Sequence, residues 1–446
     1  MNRDLFRKYF LRAILLLLVS AVSYSSMAQR MLTLEEAIAT ALQNNYEIQL
    51  AKNDSLVAAL DYSYRNAAFI PTLNANAGYS FNNVSQRQKF ADGTTRERNG
   101  INSNNLNSNV ALNWRLFDGM KMFATRDRLA QLVKLGELGI REQIVNTVAG
   151  VVNIYYNVVK QKQQLRAVEE QMSISAERVK LAQYKLDIGV GAKPDLLQGK
   201  VDLNEQKSAQ LQQQTLISQL KDQLNEQMNV KAGTDYEVAD SIPFDHTLTL
   251  TDVSAGLENN NPTLLMAKKN IDIAGIVLKE RKADRFPTLN LNTTYNFSRT
   301  DNQATVNPFS PLFSRNHGFN YGLTTTIPIF NNYNVKRQIQ QAQLNINYLN
   351  TVYKNQVNKI DLAVFNAWKN YEWQKKALYL EEENINLARE NVDIVFQVYK
   401  LNSTTLIQLK EAQKSLQDAR TRLINARYNT KLAETELKRL KGEIIK

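Results

Sequence analysis

Apolar and polar residues alternate along four segments of the chain. Leu73, Ala75, Ala77, Tyr79 and Phe81 alternate with Asn74, Asn76, Gly78, Ser80 and Asn82, and Leu289, Leu291, Thr293, Tyr295 and Phe297 alternate with Asn290, Asn292, Thr294, Asn296 and Ser298. Two return segments repeat the pattern: Val110, Leu112, Trp114 and Leu116 against Asn109, Asn113 and Arg115, then Phe319, Tyr321, Leu323, Thr325 and Ile327 against Asn320, Gly322, Thr324 and Thr326. A period of two predicts strands, here of about 9 to 12 residues, with one apolar and one Asn-rich face.

The first and third segments share a phrase. Ile70 to Phe81 reads IPTLNANAGYSF and Phe286 to Phe297 reads FPTLNLNTTYNF, so Pro71 and Pro287 mark equivalent strand-entry turns. Asn44–Lys52 faces Asn260–Lys268 at the same offset of 216, and after the strands the offset settles at 213, where Arg115–Gly119 faces Pro328–Asn332. A repeat this long is a duplicated domain, not a solenoid of short units. The expected division is a leader at 1–28, a first copy at 29–232, a linker at 233–252 marked by Gly233 and Pro243, and a second copy at 253–446.

Each copy then reads as helix, hairpin, very long helix, break, helix. The hairpins are placed at 72–117 and 288–330, the long helices at 119–188 and 332–401, and the helices after the breaks at 195–230 and 405–441. Thr33 and Glu36 have capping-box spacing and start the first helix, which Pro71 stops. Seventy helical residues span about 105 Å, longer than a globular core requires. Leu409, Ala412, Leu416, Ala419, Leu423, Ala426, Thr430, Ala433, Leu437 and Leu440 step by three and four, a sustained heptad seam, and Ile339, Ala342, Ile346, Leu349 and Tyr353 do likewise. The counterpart in the first copy has a polar middle at Gln206, Gln210 and Gln213. Rods with one narrow seam suit the wall of a hollow tube, and equally a coiled-coil stalk.

Composition narrows the setting. Arg3, Arg7, Lys8 and Arg12 precede the apolar run Ala13 to Val22, and Ser26 to Ala28 fits a small-residue cleavage site, the pattern of an export signal. The run is too short for a transmembrane anchor, which needs about 20 apolar residues. The formal charge of +12 is spread among acids along the helices and carries no aromatic-interleaved basic motif, so no nucleic-acid partner is expected. With no Cys there is no disulfide, thiolate metal site or lipid-acylated Cys. His246 and His317 stand alone, and no phosphate-binding, nucleophile-elbow or zinc-protease motif is present, so no catalytic residue, metal site or cofactor is assigned and no enzyme is expected.

The strands point to a bilayer. Tyr79, Phe81, Tyr295, Phe297, Phe319 and Tyr321 cluster toward one end of the segments, and Trp114, Phe117 and Phe330 toward the other, as the aromatic girdles of a membrane barrel would. A soluble sandwich is the alternative, but four strands make a small one for 446 residues. Four strands cannot close a barrel and open edges are not tolerated in lipid, so the chain is expected to oligomerise. The polar loops Asn82–Asn105 and Arg299–Gly318 are expected to face the cell exterior, with the apolar Pro308–Phe313 folding inward.

The signal peptide, the duplication, the PTL turn into each up-strand and a long helix broken at Tyr184 to Gln198 together resemble the TolC family of outer-membrane efflux and secretion ducts. The resemblance covers essentially the whole chain after the leader. It implies a mixed α/β membrane protein: a homotrimer whose twelve strands share one outer-membrane barrel and whose long coiled-coil helices form a periplasmic α-barrel. It also implies partners, namely a periplasmic adaptor and an inner-membrane pump (RND or ABC type), besides outer-membrane lipid. The breaks at Gly189, Gly191, Pro194 and Asp195, and at Asn402, Ser403 and Thr404, would be the tips that dock the adaptor. Gly189 and Asn402 are equivalent at offset 213, and both residue types tolerate the left-handed conformation. In the family, acids of a D-x-x-D-A type motif ring a closed periplasmic aperture; the matching positions here read Gln408, Leu409, Lys410, Glu411 and Ala412, so only Glu411 keeps an acid. A surface Glu411 paired with Lys410 or Lys414 is the competing reading.

Overall fold

The computed structural model describes residues 31–401 and 403–444; the expected leader and Asn402 lie outside the described residues. The chain forms two compact units, and each draws on both copies of the repeat. One comprises Ala51–Arg141 and Pro262–Asn358; the other comprises the residues up to Leu50, Glu142–Asn261 and those from Lys359 onward.

The first unit holds the sheet. Four strands, β1 (Thr72–Lys89), β2 (Thr95–Phe117), β3 (Thr288–Asn302) and β4 (Phe313–Thr326), pair antiparallel in the order β1-β2-β3-β4. Each copy supplies one hairpin, and β2–β3 joins the copies. The strands run 14 to 23 residues, longer than the apolar alternation predicts. The ladder continues because backbone pairing outlasts the apolar face: Asn83 donates to Asn102 at 2.5 Å and Arg87 meets Glu97 at 3.6 Å. Most of Asn82–Asn105 is therefore strand, and the turn is only residues 90–94. Likewise the second connection is 303–312, not Arg299–Gly318. Phe309 and Leu312 of this connection and Phe313, the first residue of β4, are exposed in the single chain.

Chain reversal from strand to helix is built the same way in both copies. Gly119 and Met120, and their equivalents Asn332 and Tyr333, take positive φ in succession. The long helices α3 (Lys121–Asp187) and α8 (Asn334–Lys400) follow, with 67 residues each. Near the sheet α3 is fastened to α7 (Pro262–Ala283) and the residue after it: Lys121 meets Asp284 at 2.7 Å, and Thr125 and Arg128 both donate to Glu280 at 2.8 and 3.0 Å.

The second unit contains α1 (Leu34–Asn44), the first turn of α2 (Tyr46–Ser63), α4 (Lys193–Met228), the short α5 (Leu250–Ser254) and α6 (Leu257–Asn260), α9 (Leu406–Lys441) and the greater parts of α3 and α8. The Thr33–Glu36 capping box forms in both directions. The heptad seam of α9 is buried at Leu409, Ala412, Ala419, Ala426, Thr430, Ala433, Leu437 and Leu440. Residues 233–252 do more than link the copies: Tyr236, Val238 and Ile242 are buried in the core with Val151, Tyr155 and Leu224. Tyr155 ties three segments together, its hydroxyl donating to Leu32 O at 3.0 Å and accepting from Ala239 N at 3.2 Å.

Candidate functional site

Register brings the apolar residues of all four strands to one face. Rows across the sheet read Trp114, Leu291, Leu323; then Leu73, Leu112, Thr293, Tyr321; then Ala75, Val110, Tyr295, Phe319; then Ala77, Ser108, Phe297, His317. The opposite face carries Asn74, Asn76, Asn109, Asn113, Asn292, Asn296 and Asn320, with Asn76 donating to Asn109 at 3.0 Å. The apolar face is uncovered: Phe319 is 71%, Tyr321 83% and Leu323 65% exposed. From Leu289 to Arg299 a strand runs about 34 Å, which a tilt of about 45° reduces to about 24 Å, the height of a lipid-facing band.

The aromatics expected in two girdles are spread differently. Tyr79 and Phe81 stack edge to face at 4.8 Å near the middle of β1, in the rows of Arg299/Arg315 and Asp301/Phe313. Tyr295 and Phe319 face each other across the middle of the β3–β4 ladder, 4.8 Å apart, with Tyr321 one row nearer the helix end and Phe297 one row nearer the turn. Trp114 anchors the helix end, its indole N–H donating to Phe69 O at 2.8 Å. Phe330 falls beyond β4 and packs on Tyr333. The displacement follows from strand length, since the ladder extends past the segments whose ends the aromatics mark. Pro71 and Pro287 each directly precede the first residue of a strand, where the missing N–H costs no ladder bond.

At the end of α3 the chain reverses through a complete Schellman motif. Val190 N donates to Lys185 O at 3.0 Å and Gly189 N to Leu186 O at 3.0 Å, with Gly189 at φ +78°. Gly191 is needed for a different reason: a Cβ there would lie 2.7 Å from Leu186 N and 2.8 Å from Lys185 C. Pro194 and Asp195 sit in the first turn of α4, where a missing N–H and an acid are both favourable. The second reversal closes the equivalent bond, Ser403 N to Val398 O at 3.1 Å. Beside the first reversal lies a cavity of about 210 Å³ lined by Arg178, Lys185, Gly191, Asp195, Tyr399 and Leu406. Burial pushes the Tyr399 hydroxyl up, the Asp195 charge adds to this, and Arg178 opposes it.

The expected aperture residues do three different things. Gln408 caps α9, accepting from Thr405 N at 3.2 Å and from the Thr404 hydroxyl while its own N–H donates to Thr405. Lys410 meets Asp202 of α4 at 2.8 Å, not Glu411. Asp202 also receives Arg178 of α3 and, at 2.8 Å, Gln198. Burial pushes the Asp202 carboxyl up, but the bonds from Lys410 and Gln198 and the charge of Arg178 outweigh it and hold the group below its ordinary range. Glu411 is exposed and has no ion-pair partner among the described residues. The positions equivalent to Arg178, Asp202 and Lys410 at offset 213 are Asn391, Ser415 and Leu197, so this ionic clasp of three helices occurs once per chain. Sequence reading missed Arg178, Asp202 and Tyr399, because a lone helical acid reads as solvated charge; charge present in one copy and absent from the other was the available signal. Among the described residues no group of three His, Asp or Glu side chains is placed to hold a metal ion, and no helix is long and apolar enough to cross a membrane.

Comparison with known proteins agrees with this architecture. TolC of Escherichia coli K12 is 20% identical over 438 residues, covering 96% of this chain and 85% of that protein. Outer membrane efflux protein BepC of Brucella suis is 22% identical, covering 89% and 87%. The solved structure of the outer membrane protein VceC of Vibrio cholerae superposes with a TM-score of 0.74 at 15% identity, covering 92% of this chain and 96% of that one. The sequence profile described as Outer membrane efflux protein matches residues 37–229 and again 254–443, once in each copy. The chain therefore belongs to the outer membrane efflux protein family and is an outer-membrane exit duct for efflux or secretion.

Proposed function

We propose that three copies close a twelve-strand barrel and form a passive duct, joined through a periplasmic adaptor to an inner-membrane pump. The observation that carries this is the sheet itself. In one chain β1 and β4 each have an unpaired edge and the apolar face is bare. Lipid tolerates neither open edge. Pairing β4 of one copy with β1 of the next removes every edge at once. Crosslinking of the purified protein is expected to stop at trimer; a ladder ending at dimer, or a soluble monomer, contradicts the assembly.

The hairpin turns are read as facing the cell exterior. Gly93 sits at φ +87°, so a labelling Cys belongs at the neighbouring exposed Ala91, where no such backbone constraint exists. Ala91→Cys is expected to react with an impermeant maleimide on intact cells. Labelling only after lysis would reverse the topology.

The two helix reversals are read as the adaptor-docking tips. Gly189→Val is expected to strain the Schellman turn by about 1–2 kcal/mol, weakening adaptor crosslinking severalfold while leaving the trimer intact. Gly189 faces open space, so packing loss does not confuse the outcome. Unchanged crosslinking would move the docking site elsewhere. Glu411, which has no ion-pair partner among the described residues, is read as the aperture acid. Glu411→Lys should raise resting conductance, and unchanged conductance would leave it a solvated surface acid.

A further inference from the structure

Arg299 and Arg315 are register partners on β3 and β4, and parity puts both on the apolar face, one row beyond Phe297 and His317. Like charges directly opposite in a sheet repel. Only one carboxylate answers them: Asp301 meets Arg299 at 2.8 Å, and Arg315 has no ion-pair partner among the described residues. Each guanidinium lies over a ring of the same face, Arg299 over Phe313 at 5.5 Å and Arg315 over Phe297 at 5.4 Å. The rings hold the two forks at the rim of the apolar band. A neighbouring copy cannot neutralise Arg315 through β1, because Thr72–Lys89 contains no acid.

We propose that Arg299 and Arg315 form a clamp for the phosphate group of an outer-leaflet lipid, its acyl chains lying along Phe297, Tyr295 and Phe319. A phosphate accepts from both planar forks in bidentate fashion and removes the repulsion between them. The apolar band directly below the pair, with no gap in the ladder, fits a headgroup carrying chains rather than a free anion. The inference rests on the outer-membrane reading with hairpin turns outward.

The test uses full-length delipidated protein in detergent, with native mass spectrometry counting bound lipid. Wild-type protein is expected to retain diphosphorylated lipid A and to release the dephosphorylated glycolipid. R299Q/R315Q should lower lipid A occupancy at least tenfold and R315Q alone severalfold, while R299K/R315K, which keeps charge without the forks, should fall between. If the double Gln variant does not assemble, the single and Lys variants decide. Occupancy in R315Q and R299K/R315K equal to wild type, or equal retention of the dephosphorylated lipid, overturns the clamp. Displacement of lipid A by millimolar inorganic phosphate would make the pair a free-anion site and overturns the lipid assignment. Density-gradient fractionation of the wild-type protein from cells reads its membrane separately, so outer-membrane protein that retains no lipid A contradicts the clamp alone.

Discussion

Phe319→Arg is expected to remove the assembled trimer from the outer membrane, while Asn320→Arg, one residue along, leaves it in place. The two positions are adjacent on β4 and lie on opposite faces of the sheet. A lipid-facing Arg near the bilayer midplane costs about 2–4 kcal/mol in a barrel, so three copies lose about 6–12 kcal/mol per trimer. The same charge in a wet lumen costs little. Heat-modifiable trimer in outer-membrane fractions should fall more than tenfold for Phe319→Arg and stay within twofold for Asn320→Arg. Equal tolerance of both would mean that the apolar face does not meet lipid.

Asp202→Ala is expected to loosen the helix tips and raise resting conductance more than Glu411→Lys does. The carboxylate stands between Arg178 and Lys410, and its side chain is 16% and that of Arg178 11% exposed. Removing it leaves two facing cations with no counter-charge, a loss of about 3–5 kcal/mol for a buried pair and less on the solvent-facing Lys410 side. Because the folded-state group lies below its ordinary range, the clasp is intact above the unfolded carboxylate value and is lost only as pH falls through the lower folded value. Conductance should therefore be insensitive to Asp202 protonation between pH 7 and pH 5. Asp202→Asn, which keeps shape and hydrogen-bonding capacity, should retain the tips better than Ala. Tips that are unaltered in Asp202→Ala would show that packing at Leu409 and Ala412 suffices to hold them.

Much of this architecture is legible in the chain, and the limits have physical causes. Period-two alternation marked the strands because one face must be apolar whatever the pairing partner. It could not mark their length, since beyond Phe81 and Phe297 the ladder is held by backbone bonds and polar pairs such as Asn83–Asn102. Nor could it show that β2 meets β3, a pairing across copies that no local pattern encodes. The heptad of α9 was readable because burial at Leu409 through Leu440 repeats with the helix. Residues 233–252 read as a linker from Gly233 and Pro243, yet Tyr236 and Val238 alternate with Asp235 and Glu237, a half-buried pattern that was there to be seen. Of the sites, the Gly189 reversal was visible because positive φ selects residue type. Gly191, named with it, answers to a close approach to Lys185 and Leu186, whereas the clasp joins side chains distant in sequence and leaves no local trace.

Ion conductance across a planar bilayer tests the central claim most directly. Purified wild-type trimer added to one side should give discrete current steps without nucleotide or any other energy source, small at rest and larger in Asp202→Ala. A solid coiled-coil stalk on a closed sheet has no lumen. Trimer that inserts, as judged by protease protection of its hairpins, but carries no current at any applied potential in either form would contradict the duct.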